Sequence, residues 1–173
     1  MMLLLNKDFW NNKYVGSKTG WDVGEITTPL KDYFDQLNNK QVKILIPGCG
    51  NAYEAEYLFK NKFLSIFVID YSEHALSTFS KRVPELSKNQ ILNNDFFDIQ
   101  GKYDIIIEQT FFCAIAKNRR SDYFVKMHDL LKPNGKLVGL LFDDPLNEDY
   151  PPFGGSKSEY KKYFNPYFSI KVF

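Results

Sequence analysis

Five short apolar runs, each halted by a turn or an acidic residue, constrain this chain more than any other feature. The run at 42–46 stops at Pro47-Gly48, and the run at 64–69 stops at Asp70. A weak run at 90–92 stops at Asn93-Asn94-Asp95, another at 103–107 at Glu108, and the last, at 136–142, at Asp143-Asp144. Near-continuous apolar runs of this kind predict strands buried on both faces of a sheet. Helical spacing fills the gaps. It occurs at 53–60, at 72–82 behind Ser72 as N-cap, and at 121–131 before Lys132-Pro133-Asn134-Gly135. Strand alternating with helix predicts an α/β fold, a three-layer Rossmann-like sandwich with a mostly parallel sheet. The 41 residues before the first run hold both tryptophans and a helical stretch at 29–37. They are expected to form a cap folded over the sheet, with residues 1–173 making a single domain.

Charge then narrows the classes of partner. Lys plus Arg (22) balances Asp plus Glu (21) for a net charge of +1. Binding to nucleic acid or an anionic membrane needs a basic face, so neither is expected as a partner. The apolar runs fall far short of the roughly 18–20 residues that span a bilayer. Met1-Met2-Leu3-Leu4-Leu5 is shorter than a signal peptide's apolar region and has no basic segment before it. Two cysteines make no disulfide framework, and a reducing cytoplasm is expected. A monomer is the favoured state. Aromatic residues reach 17%, which is unusually high.

In open α/β sheets, ligands sit beyond the carboxyl ends of the strands, where strand order reverses. Here those ends carry Pro47-Gly48-Cys49-Gly50, Asp70-Tyr71-Ser72, Asp95-Phe96-Phe97 and Glu108-Gln109-Thr110. Gly48 and Gly50 let the chain turn tightly and bring backbone N–H groups to a ligand. Asp70, about 20 residues on, suits the two hydroxyls of a ribose. Asp95 can accept from an exocyclic amine while Phe96 faces an adenine ring. A dinucleotide fingerprint needs a third small residue where Tyr53 stands, which counts against a dehydrogenase. The pattern fits a cofactor without a pyrophosphate, and S-adenosylmethionine is one.

Other reactive residues receive plainer readings. Cys113 lies in an apolar run and reads as structural, and Cys49 matters through its backbone. His74 and His128 have no partner at metal-ligand spacing, so no metal is expected. Glu108 either orients the site or touches a ligand. Arg119 reads as part of a solvated face. No general base or covalent nucleophile can be picked out, so the catalytic residues stay unassigned.

Several motifs in order resemble one family. They are Trp10-Asn11-Asn12-Lys13-Tyr14, Gly20-Trp21-Asp22-Val23-Gly24, Ile46-Pro47-Gly48-Cys49-Gly50, Phe111-Phe112-Cys113-Ala114-Ile115 with Arg120 and Met127, and Pro151-Pro152-Phe153. Together they resemble the thiopurine S-methyltransferase family, nearest its thiol, halide and thiocyanate branch. The resemblance implies an S-adenosylmethionine-dependent methyltransferase acting on a small-molecule acceptor by in-line displacement. The alternative is a methyltransferase-like binding or regulatory module without catalysis. The resemblance places Trp10, Tyr14 and Trp21 against the cofactor, with Tyr14 standing where a tryptophan is common. It also places Gly48, Gly50, Asp70, Asp95, Phe96, Gln109 and Arg120 at cofactor-binding positions. The segment at 9–29 is expected to act as a lid.

The chain's last part is expected to add a helix at 156–164, capped by Ser156 or Ser158, and a sixth strand at 167–173. A methyltransferase sheet ordinarily ends with a seventh strand. The chain is therefore expected to lack a C-terminal piece, since an empty slot would leave unpaired backbone groups.

Overall fold

Five strands form one sheet in the order β3-β2-β1-β4-β5, with every neighbouring pair parallel. They are β1 (Ile44–Pro47), β2 (Ile66–Ile69), β3 (Ile91–Leu92), β4 (Tyr103–Gln109) and β5 (Leu131–Leu140). The computed structural model describes residues 4–173, so Met1-Met2-Leu3 of the apolar opening lie outside the described residues. The chain steps outward from β1 to β3 and then returns to β4 on the other side of β1. The strand order therefore reverses between β1 and β4.

Alternation along the strands builds two cores. Ile44 and Ile46 of β1 join one cluster, and Leu45 between them joins the other. On the first face pack α2 (Thr28–Asp35), α3 (Tyr53–Lys60) and α4 (Glu73–Arg82), through Leu30, Phe34, Leu58 and Phe79. On the second pack α5 (Arg120–Leu130) and α6 (Lys157–Phe164), through Phe124, Met127 and Tyr160. The sandwich is three-layered, as the alternation predicts. The Ser72 hydroxyl caps α4 by accepting from the Ala75 N–H at 3.1 Å. Ser156 caps α6 in the same way through the Glu159 N–H at 3.2 Å.

Three elements differ from the expectations. A further helix, α1 (Lys7–Val15), lies in the cap; Asn6 accepts from the Phe9 N–H at its start and Gly16 closes it. The fifth strand begins at Leu131 rather than 136, because Leu131 pairs with Tyr103 before the register jumps to Lys136 opposite Ile105. The intervening loop turns at Asn134, which takes a left-handed φ of 63°. The sixth strand is absent: residues 167–173 carry no strand hydrogen bonding. After α6 the N–H groups of Tyr167 and Phe168 both bond the Phe164 carbonyl, folding the chain back. Phe168 and Phe173 then pack on the Phe164 ring, so the alternating pattern serves aromatic packing instead of a sheet. Among the described residues, no helix is long and apolar enough to cross a membrane.

Candidate active site

The turn after β1 sits at the point where strand order reverses. Gly48 and Gly50 take φ values of 56° and 51°, in the left-handed region that favours glycine. A Cβ on Gly48 would lie 2.1 Å from the Phe111 ring, and one on Gly50 would lie 2.3 Å from the Tyr14 hydroxyl oxygen. The glycines thus admit one aromatic ring from the loop after β4 and another from the N-terminal cap.

Two acids stand beside this turn. Asp70, at the end of β2, accepts from the Gly50 N–H and the Ser72 N–H, both at 2.8 Å. Burial pushes its carboxyl above the ordinary value, against the pull of those two bonds. Asp95 accepts from the Tyr71 hydroxyl at 2.5 Å and the Phe97 N–H at 2.8 Å. An ionised carboxylate offers about four acceptor positions, so each acid keeps capacity for a ligand hydroxyl or amine. Gln109 is fixed by the Thr27 hydroxyl, which donates to its side-chain oxygen at 2.7 Å.

The cap closes the front. Trp10 and Tyr14 lie four residues apart on α1, on one helix face, and both meet Trp21 edge-on at centroid distances of 5.9 and 6.1 Å. Asn11 ties α1 to the sheet end by accepting from the Ser72 hydroxyl and the His74 N–H, each at 3.1 Å. Asp22 accepts from the Asn51 amide, which joins the cap to the glycine turn. Together these groups enclose a cavity of about 840 Å³, within the roughly 300–1,000 Å³ typical of small-molecule sites.

Nine of the ten sequence-predicted residues line this cavity: Trp10, Tyr14, Trp21, Gly48, Gly50, Asp70, Asp95, Phe96 and Gln109. Arg120 does not. It is buried behind the loop at 151–155, donating to Glu159 at 2.8 Å and to the Gly154 carbonyl at 2.6 Å. Arg119 lines the cavity in its place, with its guanidinium 3.6 Å from the centre of the Phe97 ring. Arg119 ends a 3-10 turn and Arg120 begins α5, and successive residues there point about 100° apart, so the neighbouring arginines reach different surroundings. The Arg119 side chain is also 43% exposed and meets Asp122 at 3.4 Å, so it stands at a solvated face that is also the cavity's edge.

Glu108 settles on its orienting role. Its carboxylate accepts from the Phe111 N–H at 3.0 Å, the Phe112 N–H at 2.9 Å and the Tyr123 hydroxyl at 2.6 Å, outside the main cavity. Burial pushes the carboxyl up to about 7. Cys113 faces the cavity, but burial pushes its thiol up to about 12 and its sulfur bonds the Thr110 carbonyl. Burial raises the Cys49 thiol and the Tyr14 hydroxyl as well. Among the described residues, no cluster of His, Cys, Asp or Glu could hold a metal ion. Sequence reasoning missed Asp22, Glu54 and Tyr71 as cavity residues. Each lies within or beside a motif already singled out, so proximity to those motifs was the available signal.

An all-parallel sheet with a glycine turn, two acids and an aromatic cap meeting at its switch point has the architecture of a class I methyltransferase. It is similar in structure to the Burkholderia thailandensis 1,6-didemethyltoxoflavin-N1-methyltransferase, solved with 1,6-didemethyltoxoflavin and S-adenosylhomocysteine. That likeness has a TM-score of 0.76 at 11% identity, covering 92% of this chain and 74% of the other. The sequence profile of the thiopurine S-methyltransferase family matches residues 5–173, and the chain belongs to that family. The probable thiol methyltransferase 2 of Arabidopsis thaliana is 29% identical over 162 residues, 91% of this chain and 71% of that protein. Thiocyanate methyltransferase 1 of Brassica oleracea is 25% identical over the same shares. This chain is an S-adenosylmethionine-dependent methyltransferase. The residues present fit that cofactor: the glycine cradle has no room for a Cβ, and Asp70 and Asp95 retain acceptor positions facing the cavity.

Proposed function

We propose that the methyl acceptor is a small polarisable nucleophile: a thiol, thiocyanate, a halide or a related sulfur or selenium compound. The observation that carries this reading is the chemistry of the cavity wall. Among the described residues no histidine lines it, and both of its cysteines have raised thiols that stay protonated at neutral pH. The carboxyl raised to about 7, Glu108, lies outside it and is held by three donors. The two lining carboxyls that burial raises, Asp70 and Glu54, stand at the glycine turn on the cofactor's side, and the rest of the wall suits an acceptor that is already nucleophilic near neutral pH. The names of the thiol and thiocyanate methyltransferase relatives point the same way.

Bound S-adenosylmethionine supplies a methyl group already activated on a sulfonium sulfur. The chain's own work is then to hold, align and dry. Asp70 offers its remaining acceptor positions to ribose hydroxyls, while Asp95 and Phe96 receive the adenine. Trp10, Tyr14 and Trp21 turn ring faces and edges toward the cavity, exclude water and favour a cation beside them by about 0.5–2 kcal/mol. Arg119 offers a cation at the wall for an anionic acceptor such as thiocyanate. Alignment of reacting groups in such an enclosure can lower a barrier by roughly 7–11 kcal/mol. Arg120 acts through the loop at 151–155 and is a positioning residue.

The test is a methyl-transfer screen with labelled S-adenosylmethionine against thiols, thiocyanate, iodide, a thiopurine and oxygen or nitrogen acceptors, with volatile products read in the headspace. Transfer to a thiol, thiocyanate or iodide is expected. Turnover confined to oxygen or nitrogen acceptors would overturn the reading.

A further inference from the structure

Glu54 is the second residue of α3, directly behind the glycine turn, and its carboxylate lines the cavity at 8% exposure. Among the described residues, no side chain and no backbone donor of another residue bonds it. The cations nearby are engaged elsewhere. Arg82 donates to Glu56 at 2.7 Å and to the Asn51 carbonyl, and lies over the Tyr53 ring. Lys13 sits over Phe9, and Arg119 over Phe97 with Asp122 at 3.4 Å. Asp22, from the cap, bonds Asn51 and Tyr53 on either side of Ala52 and is near enough for its charge to act on Glu54. Burial raises the Glu54 carboxyl, and the charge of Asp22 raises it further. A buried carboxylate beside a second acid is unfavourable unless a cation meets it. Among the described residues no side-chain cation meets it; its own N–H and the N-terminal end of α3 do, and the open side is the cavity.

Position narrows the identity of that cation. Pro47 of β1 pairs with Ile69 of β2, so the glycine turn that leads into α3 lies alongside Asp70. Asp70 itself accepts from the Gly50 N–H, so a ligand whose ribose meets Asp70 has the glycine turn, and Glu54 behind it, within reach of its 5′ substituent. In S-adenosylmethionine that substituent ends in an amino acid with one carboxylate and one ammonium. Only the ammonium is complementary to an acidic pair. We infer that Glu54 binds the α-ammonium group of the cofactor's amino-acid portion, with Asp22 as the second negative charge beside it. The inference rests on the cofactor assignment and adds a residue that the motif resemblance does not assign.

Titration calorimetry on the full chain separates the two. The ligands are S-adenosylhomocysteine and 5′-(3-carboxypropylthio)-5′-deoxyadenosine, which differs only in lacking the amine. Wild type should prefer the amine-bearing ligand by roughly ten- to a hundredfold, the worth of a charge-assisted hydrogen bond. In Glu54→Gln that preference should shrink to within roughly threefold, and Glu54→Asp should fall between. Both ligands are measured on the same protein, so a partly unfolded variant leaves the ratio unchanged. A full preference in Glu54→Gln, or a wild-type ratio near one, would overturn the inference. Wild type that binds neither ligand would instead overturn the cofactor assignment.

Discussion

Replacing Glu108 with Gln should change the pH dependence of stability in a direction and size that the structure sets. Glu108 is 3% exposed, so its ionisation is little screened by solvent. Burial raises its carboxyl from an ordinary 4.5 to about 7. The folded protein therefore holds this proton more tightly than the unfolded chain does. The resulting stabilisation is fully present below pH 4.5 and is lost as pH rises through 7. Each pH unit in that window is worth about 1.4 kcal/mol, so the loss between pH 5 and pH 8 is about 2.5 kcal/mol. A glutamine keeps the hydrogen bonds without the titration: its carbonyl accepts from Phe111 and Phe112, and its amide turns to the Tyr123 oxygen. Urea unfolding at pH 5, 6, 7 and 8 gives the wild-type-minus-variant difference. That difference should shift in the variant's favour by about 2.5 kcal/mol toward pH 8, with equal m-values. A difference that stays flat across the range would refute a raised Glu108.

Further tests address the turn, the two arginines and the cap. Gly50→Ala places a Cβ 2.3 Å from the Tyr14 hydroxyl on a left-handed residue, a backbone strain of roughly 1–2 kcal/mol; S-adenosylhomocysteine affinity should fall at least about tenfold, measured by calorimetry. Arg120→Met removes the partner of Glu159 and of the Gly154 carbonyl and should lower stability by roughly 1–3 kcal/mol in chemical unfolding, the cost of the unsatisfied carbonyl. Arg119→Met should stay within about 0.5 kcal/mol of wild type; equal losses in the two variants would contradict their assignment to different surroundings at the α5 start. Across residues 9–29, amide exchange should slow when S-adenosylhomocysteine binds, with tryptophan fluorescence changing alongside. Equal protection in free and bound protein would remove the lid role from Trp10 and Trp21.

The sheet was legible because its signal is local and redundant. Each apolar run carries its own stop, so the parallel sheet and the position of the site at its strand ends followed from what each run ends in, whereas the strand order came only with the fold. The cap was legible in part. Asn6 and Gly16 bracket a helix that the three glycines after Tyr14 obscured, and only the fold shows Trp10 and Tyr14 on one face of it. The C-terminal stretch misled because alternation in Tyr167-Phe168-Ser169-Ile170 is also what an aromatic staple on Phe164 needs. Arg120 misled for a geometric reason. Resemblance aligns positions, whereas one residue's rotation at the start of α5 decides which arginine borders the cavity.

The same reasoning joins two residues that the sequence presents separately. Glu108 holds the Phe111 and Phe112 N–H groups, and the Phe111 ring closes over Gly48 at a distance no side chain there could permit. The acid ending β4 and the glycine ending β1 therefore form one device, with Phe111 as the part they share. Gly48 leaves the space, Glu108 fixes the loop that fills it, and Tyr123 anchors the acid from the far side. The carboxyl that burial raises to about 7 thus holds an aromatic wall in place. That is consistent with an enzyme whose acceptor needs a dry, aligned enclosure more than it needs a base.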